Sequence, residues 1–203
     1  MKRVFALLSC AAIIVGLAAC GGTSASDGSS AGSSSGAMSE PSPSRSPVPK
    51  AKTNERGNII KHVGDTTRVF KGEDRSTLLA SWTVTGISLD AKCTDENAQP
   101  SENGHFVIFD VTAMTTKDVD SLSVGSQGLW HYVEPDGTLW NGSVSGASFM
   151  CLPRDQTLPG MIGPALKAQG KIVFDLPSTD GSLVYSNGPG GGVEYPLSPQ
   201  PSA

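Results

Sequence analysis

The sequence predicts an all-β protein whose folded part is a β-sandwich. Apolar residues recur at every second position in several short segments, which is the period of a half-buried strand. Glycine and proline turns separate these segments, and no stretch keeps the 3.6-residue period of a helix. Several short strands joined by such turns are typical of a sandwich of two sheets.

Residues 1–19 are predicted to be an export signal that is cleaved. Lys2 and Arg3 give a basic start, and the following run at 4–17 is apolar and uncharged. That run is shorter than the ~20 residues needed to span a bilayer. The sequence LAAC ending at Cys20 resembles the bacterial lipobox, in which the cysteine is acylated. We therefore expect Cys20 to be the lipidated first residue of the mature chain; an ordinary signal peptide with an incidental Cys20 is the alternative.

Residues 20–56 are predicted to be a disordered linker. The first half, GGTSASDGSSAGSSSG, has no bulky apolar residue and cannot offset the entropy lost on ordering. The second half alternates proline with polar residues and is expected to be stiffer and more extended. Two G-x-S-x-G matches, at 28–32 and 32–36, fall in this linker. They do not indicate a hydrolase, because that motif requires a strand-to-helix turn in a packed sheet.

Residues 57–203 are predicted to form one domain, since their number suits a single core. The whole chain has a formal net charge of −4. The predicted domain holds 9 basic and 16 acidic residues, a net charge of −7. A surface of this sign has no basic stripe to bind phosphates, so the sequence predicts no nucleic-acid partner.

Alternation predicts strands at 81–85, 106–113, 171–176 and 193–197. In each of them one face is apolar and is expected to be buried. The strand at 106–113 also begins with apolar residues on its second face. The stretch Ile162–Gln169 is expected to make one short helical turn at most, because glycine and proline bracket it.

The sequence VEPDGTL at 133–139 predicts a hairpin. Proline presets the turn and Asp-Gly tolerates it, while Trp130, Tyr132 and Trp140 flank it. These aromatic residues have two interpretations, an exposed binding surface or core packing. Core packing is favoured, because sandwich cores use large aromatic side chains.

Cysteine usage predicts one disulfide. Of the four cysteines, Cys10 leaves with the signal and Cys20 takes the lipid. Cys93 and Cys151 are then the remaining thiols of an exported domain, and we expect them to pair. In the chain-entropy model, such a bridge stabilises by about 4 kcal/mol. Free thiols and a metal site are the alternatives, but no C-x-x-C or H-x-x-x-H spacing supports a metal.

Five segments together resemble a family of bacterial extracellular lipoproteins: HVGDTTRVF, SWTVTGISL, GHFVIFDVTAMT, YVEPDGTLW and LPGMIGPALKAQGKIVFDLP. The resemblance spans about 61–197 and is clearest at Gly64-Asp65 and at 170–177. This domain-of-unknown-function family is grouped with a secreted immunoprotective antigen, and members are sometimes mislabelled as telomeric repeat-binding factors. The resemblance implies an immunoglobulin-like sandwich and carries over no activity, cofactor or catalytic residue.

An acidic loop around Cys93 is the one candidate cation site. Its weak candidate ligands are Asp90, Asp95, Glu96 and Glu102. Ca²⁺ binds six to eight oxygens that often come from such loops. No EF-hand spacing is present, so a solvated acidic loop is the favoured interpretation and no metal is assigned.

No catalytic residue is predicted. The three histidines, His62, His105 and His131, lie on or beside predicted strands without a local nucleophile motif. We expect a non-enzymatic protein-interaction or adhesion module, lipid-anchored through Cys20 on the extracytoplasmic face of a bacterial membrane. Its partner is expected to be a protein or another envelope component, and no cofactor is expected. The alternatives are a lipoprotein that binds a small ligand or metal ion and, less favoured, an envelope hydrolase.

Overall fold

The computed structural model describes residues 52–186 and 191–198. The predicted signal at 1–19, the lipidation site Cys20 and most of the linker at 20–56 lie outside these residues. Nine strands are described: β1 (Ile59–Ile60), β2 (Thr66–Lys71), β3 (Thr77–Ser88), β4 (His105–Thr115), β5 (Trp130–Val133), β6 (Leu139–Trp140), β7 (Lys167–Leu176), β8 (Ser182–Tyr185) and β9 (Val193–Pro196). Helical structure within the described residues is one four-residue α-helix, α1 (Gly146–Phe149), and two 3₁₀ turns, Gln127–Leu129 and Arg154–Gln156. No helix among the described residues is long and apolar enough to cross a membrane.

The strands form two sheets. One has four strands in the order β2-β3-β4-β7, all antiparallel. The other has five strands in the order β1-β9-β8-β5-β6, in which the first pair is parallel. The predicted all-β sandwich of two sheets with one disulfide is confirmed.

The core lies between the sheets and is rich in aromatic rings. Phe109 of β4 contacts Trp130 of β5 with ring centroids 5.6 Å apart, and Tyr195 of β9 at 5.8 Å. Trp130 is 1% exposed and Tyr132 is fully buried, while Trp140 packs against the same cluster. The core interpretation of the hairpin aromatics is therefore confirmed. Edge-to-face pairs of this kind stabilise beyond the area they bury.

The outer face of the four-stranded sheet carries a second, smaller apolar cluster. Phe106, Ile108 and Val173 point away from the main core and are covered by the segment 147–152. Because this segment covers the outer face of the sheet, the first outward-pointing residues of β4 are apolar as well. One strand thus contributes to two apolar layers, and the second layer includes the disulfide.

Two local features differ from the sequence-based expectation. β7 begins at Lys167, four residues before the predicted start, because its early residues continue the pairing with β4 up to Met114. The short helical turn allowed at Ile162–Gln169 is absent: the chain turns there, with Ala165 at a φ of +56°. The Thr115 hydroxyl fixes this turn by donating to the Gly163 carbonyl at 2.7 Å.

The first described residues are fastened to the last strand. Glu194 of β9 is buried and accepts hydrogen bonds from Asn54 Nδ2 at 2.8 Å, from Asn58 Nδ2 at 2.9 Å and from the Arg56 guanidinium. Contacts to the sandwich therefore begin before Gly57. The division of the chain into signal, linker and domain stays a prediction.

Candidate functional site

The disulfide joins Cys93 to Cys151 with an S–S distance of 2.08 Å. The pairing predicted from cysteine usage is confirmed, and the free-thiol and metal alternatives for these two residues are excluded. The backbone N–H of Thr94 also donates to the Cys151 carbonyl at 2.8 Å. The bridge thus fastens the loop between β3 and β4 to the segment that follows α1.

Asp175 of β7 holds the same two segments in a different way. It is fully buried and accepts from the Ser145 hydroxyl at 2.6 Å, the Glu102 N–H at 2.8 Å, the Asn103 N–H at 3.2 Å and the Ser101 hydroxyl. Burial raises the pKa of this carboxyl, but these hydrogen bonds outweigh burial and leave the pKa below its ordinary value. Asp175 is therefore an ionised anchor for the loop between β3 and β4 and for the start of α1.

A capping interaction positions α1. Ser145 is its N-cap and accepts from the Ser148 N–H at 3.0 Å, while Ser148 accepts from the Ser145 N–H at 3.1 Å. This reciprocal pair satisfies donors that a helix start otherwise leaves free. Because Ser145 also binds Asp175, the short helix is fixed to the sheet beneath it.

The acidic residues proposed as cation ligands make separate contacts. Asp90 is 2.5 Å from the His105 ring, Asp95 accepts from the Asn97 N–H at 2.8 Å, and Glu102 accepts from the Ala147 N–H at 2.9 Å. Glu96 is exposed. Within the described ranges, no group of three or more histidine, cysteine or acidic side chains is arranged to hold a metal ion.

A groove of about 860 Å³ lies beside the disulfide, between α1, the two 3₁₀ turns and the free edge of β7. We call it the disulfide groove. Its floor is apolar and buried, and its rim carries large exposed side chains: Phe149 is 66% exposed and Met150 is 41% exposed. The floor residues are Leu152, Leu158, Ile172 and Val173.

Polar side chains also line the disulfide groove, and their partners differ. The Gln127 amide N–H donates to the Val173 carbonyl, while its Oε1 is buried and has no hydrogen-bond partner among the described residues. Lys171 is paired with Asp110. Arg154 lines the groove and makes no ion pair within the described part of the chain.

The free edge of β7 is covered at both ends of the groove. The Leu158 N–H donates to the Lys171 carbonyl at 2.9 Å, and the Asp175 N–H donates to the Ser143 carbonyl at 3.2 Å. Exposed strand edges pair readily with other chains, and covering them prevents this. The groove is therefore the section of the β7 edge where a side chain, Gln127, and not backbone covers the Val173 carbonyl.

Sequence reasoning missed this groove and the buried Asp175. In the sequence KIVFDL, Asp175 occupies an alternate position of the predicted strand, which indicates an exposed polar face. Its covering hydroxyls come from Ser101 and Ser145, far away along the chain. The one local signal was the spacing of Ser145 and Ser148, which is the spacing of a capping box at the start of a helix. The second position of such a box is usually Glu or Gln, and here it is serine.

The histidines lie in three separate places. His62 is exposed on the turn before β2, where its backbone N–H donates to Asp65 at 2.9 Å. His131 lies on β5 and is half-buried. The His105 ring contacts Asp90, and both side chains are partly exposed.

The fold and the disulfide define the class of this protein: a disulfide-bonded β-sandwich. No protein-family model and no curated protein matches the chain. Among solved structures, the chain is similar to that of a secreted protein from Mycobacterium tuberculosis, MPT63. The TM-score is 0.47 and the sequence identity 15%, over 68% of this chain and 97% of that chain. Similarity at this level assigns no function, and the family resemblance stays a prediction.

Proposed function

We propose that this chain is an extracytoplasmic lipoprotein, anchored in the membrane through Cys20, whose sandwich binds another protein of the cell envelope at the disulfide groove. The observation that carries the binding proposal is the exposed pair Phe149 and Met150 on the rim of an apolar groove. Large exposed apolar side chains grouped in one place mark interaction sites. Aromatic residues and methionine are also enriched at protein interfaces.

The rigid support of the groove favours binding. The disulfide fixes Cys151, the residue after Met150, and the Asp175–Ser145 hydrogen bond fixes the start of α1. A surface held in place loses little conformational entropy when a partner binds. Phe149 and Met150 are thus presented on a preorganised backbone.

The proposed function does not include catalysis, for a chemical reason. Asp175 and Glu194 are the described carboxyls that combine full burial with a lowered pKa. Both accept hydrogen bonds from several protein groups, so their oxygens are already occupied. A general acid or base needs a pKa near the working pH and access to substrate. These two carboxylates support the structure.

The sequence supports the proposed anchor. Each CH₂ of a lipid chain buried in a membrane contributes about 0.8 kcal/mol, and stable anchoring takes two signals. A lipobox cysteine that carries at least two chains meets this requirement. The predicted linker then holds the sandwich away from the bilayer, at about 30–35 Å for a flexible coil of its length.

Site-specific photo-crosslinking in intact cells tests the binding proposal. A photoreactive phenylalanine analogue at position 149 is expected to capture one defined protein. The matched control carries the analogue at Val63, which is 50% exposed on the turn between β1 and β2. The proposal is wrong if position 149 captures nothing, or if both positions capture the same proteins.

A further inference from the structure

Three charged side chains line the disulfide groove: Asp95, Arg154 and Lys171. The Asp95 carboxylate accepts from the Asn97 N–H at 2.8 Å, and Lys171 is paired with Asp110. Arg154 is exposed and makes no ion pair within the described ranges. Arg154 is therefore the charged side chain that the groove offers to a partner. This charge is positive, although acidic residues outnumber basic ones in the chain as a whole.

Arg154 lies close to the apolar floor of the groove. It is on the 3₁₀ turn Arg154–Gln156, which separates two floor residues, Leu152 and Leu158. When a partner side chain packs on this floor, each following residue of its chain lies about 3.5 Å further along. An arginine side chain is long enough to meet one of these neighbouring residues, and its guanidinium binds carboxylates with two parallel hydrogen bonds. Arg154 therefore favours a partner with an acidic residue close to an apolar one.

The β7 carbonyls in the groove are already paired. The Lys171 carbonyl accepts from the Leu158 N–H at 2.9 Å, and the Val173 carbonyl accepts from the Gln127 amide. A partner that binds by strand addition uses such edge groups to hold its main chain. Because both carbonyls are occupied, the groove favours recognition of a partner's side chains over addition of a strand.

We propose that the disulfide groove recognises a segment of a partner protein in which an acidic residue closely follows a large apolar residue. The apolar side chain packs on the floor and against Phe149, and the carboxylate pairs with Arg154. This inference rests on the proposed function, because it specifies the partner of the same site. A charge pair at the rim of an interface contributes to specificity more than to affinity, so its removal is expected to change the choice of partner segment.

Three acetylated and amidated peptides that differ at one position test the proposal by NMR titration of the folded, oxidised protein. Their sequences are GLFEG, GLFQG and GLFKG. We expect all three to shift the amide signals of Leu158 and Ile172 on the floor of the groove. GLFEG is expected to bind about two- to fivefold more tightly than GLFQG, the ratio that one exposed ion pair provides, and GLFKG to bind most weakly. Equal binding of the three peptides, or no shift at the floor amides, would overturn the proposal.

Arg154→Gln removes the cation from the groove. It is expected to abolish the preference for GLFEG over GLFQG and to leave the affinity for GLFQG unchanged. The matched control is Arg68→Gln, which removes an equal, exposed charge from β2, at the opposite edge of the four-stranded sheet. The control is expected to keep the preference. If Arg68→Gln reduces the preference as much as Arg154→Gln does, the preference reflects the net charge of the protein and the proposal is wrong.

Photo-crosslinking from position 149 in intact cells separates this inference from the proposed function. Arg154→Glu turns attraction into repulsion and is expected to reduce the yield of the captured protein about fivefold, whereas Arg68→Glu leaves the yield unchanged. An unchanged yield in Arg154→Glu would overturn the acidic segment but not the groove as a binding site. Capture of a second copy of this chain would overturn the partner proposed here, and no capture with Arg154 in place would overturn both proposals.

Discussion

Glu194 shows how one buried carboxylate holds the segment that precedes β1. Burial raises its pKa, but hydrogen bonds from Arg56, Asn58 and Asn54 outweigh burial and leave the pKa below its ordinary value. These partners come from the first described residues, whereas Glu194 lies on the last strand. Removing one partner of such a cluster leaves the others buried and unpaired, which is costly.

Glu194→Gln is expected to lower the free energy of unfolding by about 2 kcal/mol at pH 7, measured by urea denaturation. The matched control Glu73→Gln changes an exposed carboxylate and is expected to have almost no effect. Equal stability of the two variants would contradict the structural role given to Glu194.

The direction of the pH dependence follows from the lowered pKa values of Glu194 and Asp175. A carboxyl whose pKa is lower in the folded than in the unfolded state stabilises the fold above the unfolded pKa, about 4. That stability is lost as the pH falls from about 4 through the folded pKa. The wild type is thus expected to lose stability in acid, and Glu194→Gln to lose less. A steeper acid loss in the variant would contradict this assignment.

At the scale of elements, the edge strand β7 depends on one glycine. A Cβ built on Gly170 would lie 2.5 Å from the Leu158 backbone nitrogen and 2.7 Å from the Thr157 carbonyl carbon. The backbone of 157–158 can therefore approach β7 only because residue 170 has no side chain. This approach allows the Leu158 N–H to cover the free edge.

Gly170→Ala is expected to lower the free energy of unfolding by about 1–3 kcal/mol, because backbone atoms must move to admit the methyl group. Hydrogen exchange should locate the change at Leu158, whose amide loses its partner. Gly128→Ala is the matched control, since a Cβ there meets nothing within 4 Å. If Leu158 stays protected in Gly170→Ala, the glycine does not control this contact.

Sequence patterns predicted the parts of the fold that depend on local alternation. Trp82, Phe109 and Phe174 all lie in the core, as their two-residue period indicates. The patterns missed Asp175 and the cover of β7, because the residues that bury them are distant along the chain. In the sequence, Gly170 only brackets the stretch Ile162–Gln169, whereas its close contact with 157–158 depends on tertiary packing.

The candidate site was predictable only in part. The pairing of Cys93 with Cys151 followed from counting thiols in an exported chain, which requires no geometry. The exposure of Phe149 and Met150 could not be predicted, because an apolar residue between strands is as compatible with a core as with a surface. The acidic residues of the same loop were close in sequence but bind separate partners.

At the scale of the whole domain, the segment before β1 and the disulfide groove lie at different edges of the sandwich. The first described residues lead into β1, which is one edge of the five-stranded sheet, and Ile59 of β1 lines the same cavity as Val69 of β2. The groove follows β7, at the opposite end of the four-stranded sheet from β2. The segment before β1 therefore joins the sandwich away from the β7 edge.

Intact-mass spectrometry of the protein from the membrane fraction tests the central claim, a lipidated, disulfide-bonded lipoprotein outside the cytosol. We expect a chain that begins at Cys20, carries the added mass of at least two acyl chains, and gains no alkyl group at Cys93 or Cys151 until it is reduced. An unmodified chain in the soluble fraction, with both thiols alkylated before reduction, would contradict the account.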